Sequence, residues 1–282
     1  MTEASAPQSE DAASITKKSK SNLAFAFVCI PKDRRADMVT FYAYCRLVDD
    51  IADDTELPVE EKRRQLDAWR QGLLHGFDKP TSVQQATVAL FEKYNIDPEL
   101  PIELIDGMEM DLVTKRYETW SELKLYCYRV ASVVGIVSQR IVGCRQPESV
   151  EYWVALGYAL QMVNIMRDVG KDYVDDDRIY LPAEEMERFG YTEEMLAAGV
   201  VDEKFEALME FQYQRAQEFY QLAISNITAP DRVALRVGEA MRMIYAGILG
   251  NMRRDGYRVF DTDYKLSKLR MFAILANCRL MS

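Results

Sequence analysis

Histidine is almost missing from this chain: one residue, His75, in 282. Any catalytic scheme that needs two imidazoles is thereby excluded, a His-Glu-x-x-His zinc site among them. His75 lies in a polar, amphipathic stretch and reads as an exposed helix residue. The five cysteines, at 29, 45, 127, 144 and 278, form no CxxC pair. Their odd number and loose spacing speak against a disulfide framework and for a reducing compartment. Cys45 and Cys127 fall in apolar helical stretches and read as small core residues. Glycine and proline are few, 13 and 9, and alternating strand patterns are nearly absent. No run approaches the ~20 apolar residues of a membrane span. Residues 1–11 lack the apolar core of a signal peptide, so the expected location is cytoplasmic. The formal net charge of -10 repels nucleic-acid backbones and excludes DNA or RNA binding as the main activity. Anionic small ligands stay open, because a bound divalent cation reverses the local sign.

What is present is helix. Hydrophobic residues make up 49% of the chain, enough for one large core and a single domain. Residues 1–16 are small, polar and aperiodic, and are expected as a disordered tail; residues 17–282 are expected as one all-α domain. Helical spacing predicts segments at 20–29, 33–54, 58–76, 82–95, 101–115, 120–143, 148–173, 192–198, 202–227, 230–255 and 264–279. Thr119 with Glu122 suggests a capping box, and Pro58 and Pro230 suit first turns. The architecture implied is a single bundle of about ten helices.

Two stretches carry the chemistry. In YAYCRLVDDIADD at 42–54, Asp49 and Asp53 stand four apart, with Arg46 and then Tyr42 each about one turn earlier on the same face. Asp50 and Asp54 form a second such pair. Like charges at this spacing cost about 0.2–0.5 kcal/mol per pair in an isolated helix, a cost that a cation would remove. In QMVNIMRDVGKD at 161–172, Gln161, Asn164, Asp168 and Asp172 follow at spacings of three, four and four, with Arg167 beside them. Met162, Val163, Ile165 and Met166 between them are apolar, so acidic groups project from a helix built for burial, where a carboxylate must be paired or metal-bound. One such cluster could equally be a solvated face or a set of ion pairs. Two clusters, each with an adjacent arginine, fit magnesium, which takes oxygen ligands and bridges to substrate phosphates. Arg46, Arg167 and Arg178 would supply forked donors to phosphate oxygens. The stretch YCYRVASVVG at 126–135 has small and apolar residues at helical spacing, suited to a long hydrocarbon chain or to ordinary helix packing.

At these residues the sequence resembles the squalene/phytoene synthase family, the head-to-head prenyltransferases. The matching blocks are YCRLVDDIAD at 44–53, YCYRVASVVG at 126–135 and NIMRDVGKD at 164–172, running on to RIYLP at 178–182. The resemblance spans roughly residues 20–275. It implies the α-helical isoprenoid synthase fold with a central cavity. It implies that Asp49 and Asp53 line one side, and Asn164, Asp168 and Asp172 the other, around magnesium and diphosphate. Arg46, Gln161, Arg167, Arg178 and Tyr180 match diphosphate contacts, and Tyr126 matches a tyrosine near the reacting carbons. Val130, Ala131, Val134 and Gly135 match a helix that lines the prenyl tunnel, and Tyr245 a further cavity residue. Ser21 aligns with a serine of the family's early flexible segment. Ser132 stands where many relatives have glycine, which could narrow the tunnel, and the loop at 173–177 is unusually acidic.

The reaction so implied joins two identical prenyl diphosphates. One diphosphate leaves, and the allylic cation is attacked by the double bond of the second substrate to give a cyclopropyl diphosphate. Apolar walls exclude water, and the faces of Tyr126 and Phe27 could stabilise positive charge. The overall wording leans to two farnesyl diphosphates, giving presqualene diphosphate or squalene; two geranylgeranyl diphosphates, giving phytoene, are the alternative. NADPH is left open, since relatives that use it lack a GxGxxG motif, and no oligomeric state is read. A head-to-tail elongase or terpene cyclase is disfavoured by the 126–128 and 178–182 blocks, and a non-catalytic helical subunit by the intact aspartate set. Residues 265–280 mix basic and apolar side chains, suited to peripheral membrane contact or to an ordinary closing helix.

Overall fold

The computed structural model describes residues 11–18 and 25–280. Among them there is no strand, and the thirteen α-helices surround one apolar cavity. The helices are α1 (Ala12–Lys18), α2 (Lys32–Asp53), α3 (Val59–His75), α4 (Ser82–Lys93), α5 (Glu99–Val113), α6 (Trp120–Cys127), α7 (Val133–Val142), α8 (Glu148–Asp176), α9 (Ala183–Phe189), α10 (Glu193–Ala197), α11 (Glu203–Ser225), α12 (Arg236–Arg254) and α13 (Lys268–Leu280). A 3-10 turn at Phe27–Cys29 precedes α2, and a π-helical turn, Tyr128–Ser132, joins α6 to α7.

The bundle is built on α8. Its buried residues, from Tyr152 and Trp153 through Leu156, Met162, Val163 and Met166 to Val169, occupy nearly all sides. A helix buried on most of its sides has to be enclosed by others: α7, the π turn, α11 and α12 pack around it, leaving the polar side of Gln161, Asn164, Asp168 and Asp172 partly exposed. On the far side of the cavity α2 packs against α4, α5 and α7. Local signals set several ends. Thr81 and Gln84 form a reciprocal capping box on α4. At α6, Thr119 Oγ1 accepts from the Glu122 amide at 3.3 Å, but the Glu122 carboxylate reaches the Glu118 amide at 2.8 Å, so only half of the expected box forms.

Three expectations are corrected. Residues 12–16, expected in the tail, belong to α1, where Ile15 packs on Ala43 and Val83; a single short apolar face is too brief for a periodic signal. The acidic loop at 173–177 is instead the last turn of α8 and its Asp177 cap. Carboxylates are unfavourable at a helix C-terminus, yet here Lys115 Nζ donates to the Asp176 carbonyl at 2.9 Å. The segment at 230–235 forms turns, and α12 begins only at Arg236.

The π turn brings the chain unusually close to α8. A Cβ at Gly157 would lie 2.6 Å from Ser132 Cα, a backbone atom that no rotamer change can move. Single π turns recur at functional sites because they re-aim side chains within a continuous helix. Here Val130 and Ala131 line the cavity, while Ser132 is fully buried and donates to the Val154 carbonyl at 2.9 Å. Ser132 therefore faces α8 and does not narrow the cavity. Gly157→Ala is expected to destabilise the protein by about 1–3 kcal/mol through overpacking, read as a lower Tm; an unchanged Tm would show that the two backbones can separate freely.

Candidate active site

The cavity has a volume of about 340 Å³ and lies between α2, α5, the π turn with α7, α8 and α12. Its deeper wall is hydrocarbon: Met38, Phe41, Leu104, Met108, Val130, Ala131, Val134, Gly135, Trp153, Leu156 and Met241. Phe27, edge-on to Tyr42 at 5.7 Å, closes one side, and Tyr245 another. The polar residues Arg46 and Asp49 of α2 and Gln161 and Asn164 of α8 line it from opposite sides, with the Tyr126 ring between. From there α2 runs one turn on to Asp53, and α8 runs on to Asp168 and Asp172. Of the expected site residues, Phe27, Arg46, Asp49, Tyr126, Val130, Ala131, Val134, Gly135, Gln161, Asn164 and Tyr245 line the cavity, whereas Asp53, Arg167, Asp168, Asp172, Arg178 and Tyr180 do not, and Ser21 lies outside the described residues.

The two acidic faces meet electrostatically. Burial, and next the Asp53 charge, push the Asp49 carboxyl up to about 7. Burial, and next Asp168, do the same for Asp172, also to about 7. Asp53 is raised by burial and feels Asp176 and Arg178 from the α8 side. Present cations compensate only in part. Arg46 pairs with Asp49 and Asp50, and Arg167 with Asp168 through a 2.9 Å Nε bond. Asp54 leaves the cluster, its carboxylate accepting from the Glu56 and Leu57 amides. Among the described residues no three Asp, Glu, His or Cys side chains converge closely enough to hold a metal ion on their own.

A third carboxylate sits between the faces, and sequence reasoning did not single it out. Asp111 of α5 accepts from Tyr126 at 2.9 Å and from Tyr180 at 2.9 Å, and the two hydroxyls stand 3.0 Å apart. Arg178 donates to the Asp111 carbonyl at 2.8 Å and to the Tyr180 hydroxyl at 3.1 Å. Its buried Nε has no hydrogen-bond partner among the described residues. Burial pushes the Asp111 carboxyl up to about 6 against the opposing pull of Arg178 and both tyrosines. Leu104, Met108 and Asp111 share one face of α5, but one acid at the end of an apolar stripe does not mark a site by itself. Tyr117, Tyr126 and Tyr180 form a ring trio with centroids 5.1–5.8 Å apart. A short strap holds Arg178 and Tyr180 there: the Ile179 amide donates to the Lys115 carbonyl at 2.9 Å and the Ala183 amide to Tyr117 at 2.8 Å.

An apolar cavity enclosed by a single all-α bundle is the architecture the sequence resemblance implied. The squalene/phytoene synthase family profile matches residues 16–270. This chain belongs to the squalene/phytoene synthase family. It is 36% identical over 247 residues to a 15-cis-phytoene synthase of Synechocystis sp., covering 82% of this chain and 72% of that one. It is 32% identical over 266 residues to a phytoene synthase of Mycobacterium tuberculosis, covering 93% and 87%. Among solved structures it resembles a dehydrosqualene synthase in complex with ligand, with a TM-score of 0.81, 29% identity and coverage of 95% and 94%. It also resembles a squalene synthase of Alicyclobacillus acidocaldarius, with a TM-score of 0.78, 25% identity and coverage of 87% and 93%. The chain is accordingly a prenyltransferase of the head-to-head type, with the isoprenoid synthase fold.

Proposed function

We propose that the enzyme joins two geranylgeranyl diphosphates head to head to give phytoene. What carries this choice of chain length is sequence likeness: the relatives at 32–36% identity are phytoene synthases. A second reading, condensation of two farnesyl diphosphates to presqualene diphosphate or squalene, is favoured by the structural likeness to dehydrosqualene and squalene synthases.

The residues divide the work by chemistry. Asp49 and Asp53 on α2, and Asn164, Asp168 and Asp172 on α8, would hold magnesium. The fit lies in the donor set, hard oxygen ligands carried on two helices, with Asp49 and Asp172 raised to about 7 by burial first and then by a neighbouring carboxylate. Magnesium held by these residues would supply charge neutralisation to a departing diphosphate. Arg46, Arg167 and Arg178 donate to phosphate oxygens, the Nε of Arg178 making no hydrogen bond although it lies 3.7 Å from the Asp111 carboxylate, and Gln161 contacts the diphosphate from α8. Tyr126, Tyr180 and Phe27 present ring faces or edges to the carbocation. Val130, Ala131, Val134, Gly135 and Tyr245 hold the prenyl chains and keep water away. NADPH is not part of the proposal.

The deciding experiment incubates the purified protein with magnesium and each substrate in turn, with and without NADPH, and reads products by mass spectrometry. A forty-carbon product from geranylgeranyl diphosphate is expected. A thirty-carbon product from farnesyl diphosphate alone would establish the second reading, and silence with both would overturn both.

A further inference from the structure

We propose that the outer face of α13 docks on an anionic lipid bilayer. This helix has two apolar sides. Met271, Leu275 and Cys278 are buried against α12 and the 3-10 turn, where Cys29 Sγ lies 3.9 Å from the Leu275 carbonyl. On the opposite side Leu269, Phe272 and Leu280 are 81%, 63% and 82% exposed. With the exposed Ala273 and Ala276 they follow at spacings of three, one, three and four, one continuous stripe along the helix. A closing helix of a bundle would carry polar residues there.

Charge selects the partner. The chain carries a formal net charge of -10, yet residues 264–282 contain Lys265, Lys268, Arg270 and Arg279 and no acidic residue. Among the described residues Lys268, Arg270 and Arg279 have no carboxylate within ion-pair distance. An apolar stripe flanked by unpaired cations on one short helix is suited to the headgroup boundary of an anionic bilayer, which takes up both at once. A two-fold contact between copies would instead bring the same cations face to face. The position serves the greasy substrate class: α13 rests on α12, which contributes Met241 and Tyr245 to the cavity wall. The proposal rests on prenyl chemistry only for this last point and is independent of chain length.

The test is co-sedimentation of the full-length protein with lipid vesicles, which needs no turnover and so separates this proposal from the prenyltransferase reading. Vesicles of phosphatidylcholine alone are compared with vesicles holding about 30 mol% phosphatidylglycerol. Partitioning is expected to rise at least about tenfold with the anionic lipid and to fall on adding salt. Phe272→Ser is expected to lower it about tenfold, and Lys268→Gln or Arg270→Gln about fivefold each. Circular dichroism confirms that each variant is folded. Absence of binding to anionic vesicles, or equal binding by wild type and Phe272→Ser, would overturn the proposal. So would a dimer seen by light scattering that Phe272→Ser dissociates while vesicle binding is missing.

Discussion

Replacing Asp49 by Asn is expected to lower turnover by about a thousandfold while making the metal-free protein more stable at alkaline pH. Both effects come from the same charge. In the folded chain the Asp49 carboxyl is raised from the ordinary carboxylate range to about 7, by burial first and then by Asp53. In the unfolded chain it titrates near 3.8. The folded state therefore holds this proton more tightly, so stability is greatest at acid pH. It falls as pH rises from about 4 to about 7 and levels off above. Asparagine does not titrate, so the variant gains on wild type through that window and keeps the full gain at pH 8. Its size is on the order of 1–2 kcal/mol, because solvent screens a side chain that is 35% exposed. Loss of the Arg46 partner works the other way, but an exposed ion pair is worth only about 0–1 kcal/mol, and Arg46 keeps Asp50. Thermal denaturation in EDTA from pH 4 to 8.5, beside product assays with magnesium, measures both. A variant that is inactive and also less stable at pH 8 would make Asp49 a structural anchor and remove the argument for a cation at this face.

Asp111→Asn is expected to reduce kcat by about 10–100-fold with little change in KM, and to abolish an acid limb near pH 6. Asp111 is 11% exposed in its side chain and accepts from both Tyr126 and Tyr180. The amide keeps one acceptor oxygen and presents a donor where the second had been, so one tyrosine must turn away. In wild type the same loss occurs by protonation: the carboxyl is raised to about 6, so below that pH it gains a proton and no longer accepts from both hydroxyls. Activity should decline on the acid side with that midpoint, and the non-titrating variant should lack the decline. If Asp111 acts by orienting Tyr126, then Asp111→Asn and Tyr126→Phe will not add in the double variant. Full additivity, or an unchanged acid limb in Asp111→Asn, would leave Asp111 as a packing residue.

The two aspartate faces were legible because they depend on short spacings. Residues three or four apart on a helix share a face whatever surrounds them, so Asp49 with Asp53, and Asn164 with Asp168 and Asp172, were readable once the helices were. The lining residues of the 126–135 block were legible through the family resemblance, and the cavity does contain Tyr126, Val130, Ala131, Val134 and Gly135. Asp111 was not legible, because one acid on an amphipathic helix looks like any boundary residue until its partners arrive. They come from α6 and from the segment after α8, 15 and 69 positions along the chain. The expectation for Ser132 came from the family resemblance, and it was overturned because Ser132 turns to α8, where it donates to the Val154 carbonyl and packs on Gly157. Residues 12–16 and 173–177 were misjudged because a distant contact, Ile15 on Ala43 or Lys115 on the Asp176 carbonyl, outweighs weak local preference.

Hydrophobic periodicity, four-residue carboxylate spacing and three ordered motifs were enough to establish an all-α fold, the family, and which helices bear charge. These are properties of neighbours along one helix, and helix geometry is the same in every fold. How the two charged faces stand to each other, which carboxylate bridges them, which side of the π turn meets the cavity and which side of α13 is left bare depend on crossings between elements far apart in the chain. Those crossings come from the packing of side-chain volumes, as where Gly157 lets Ser132 approach α8, and no single stretch of sequence contains both partners.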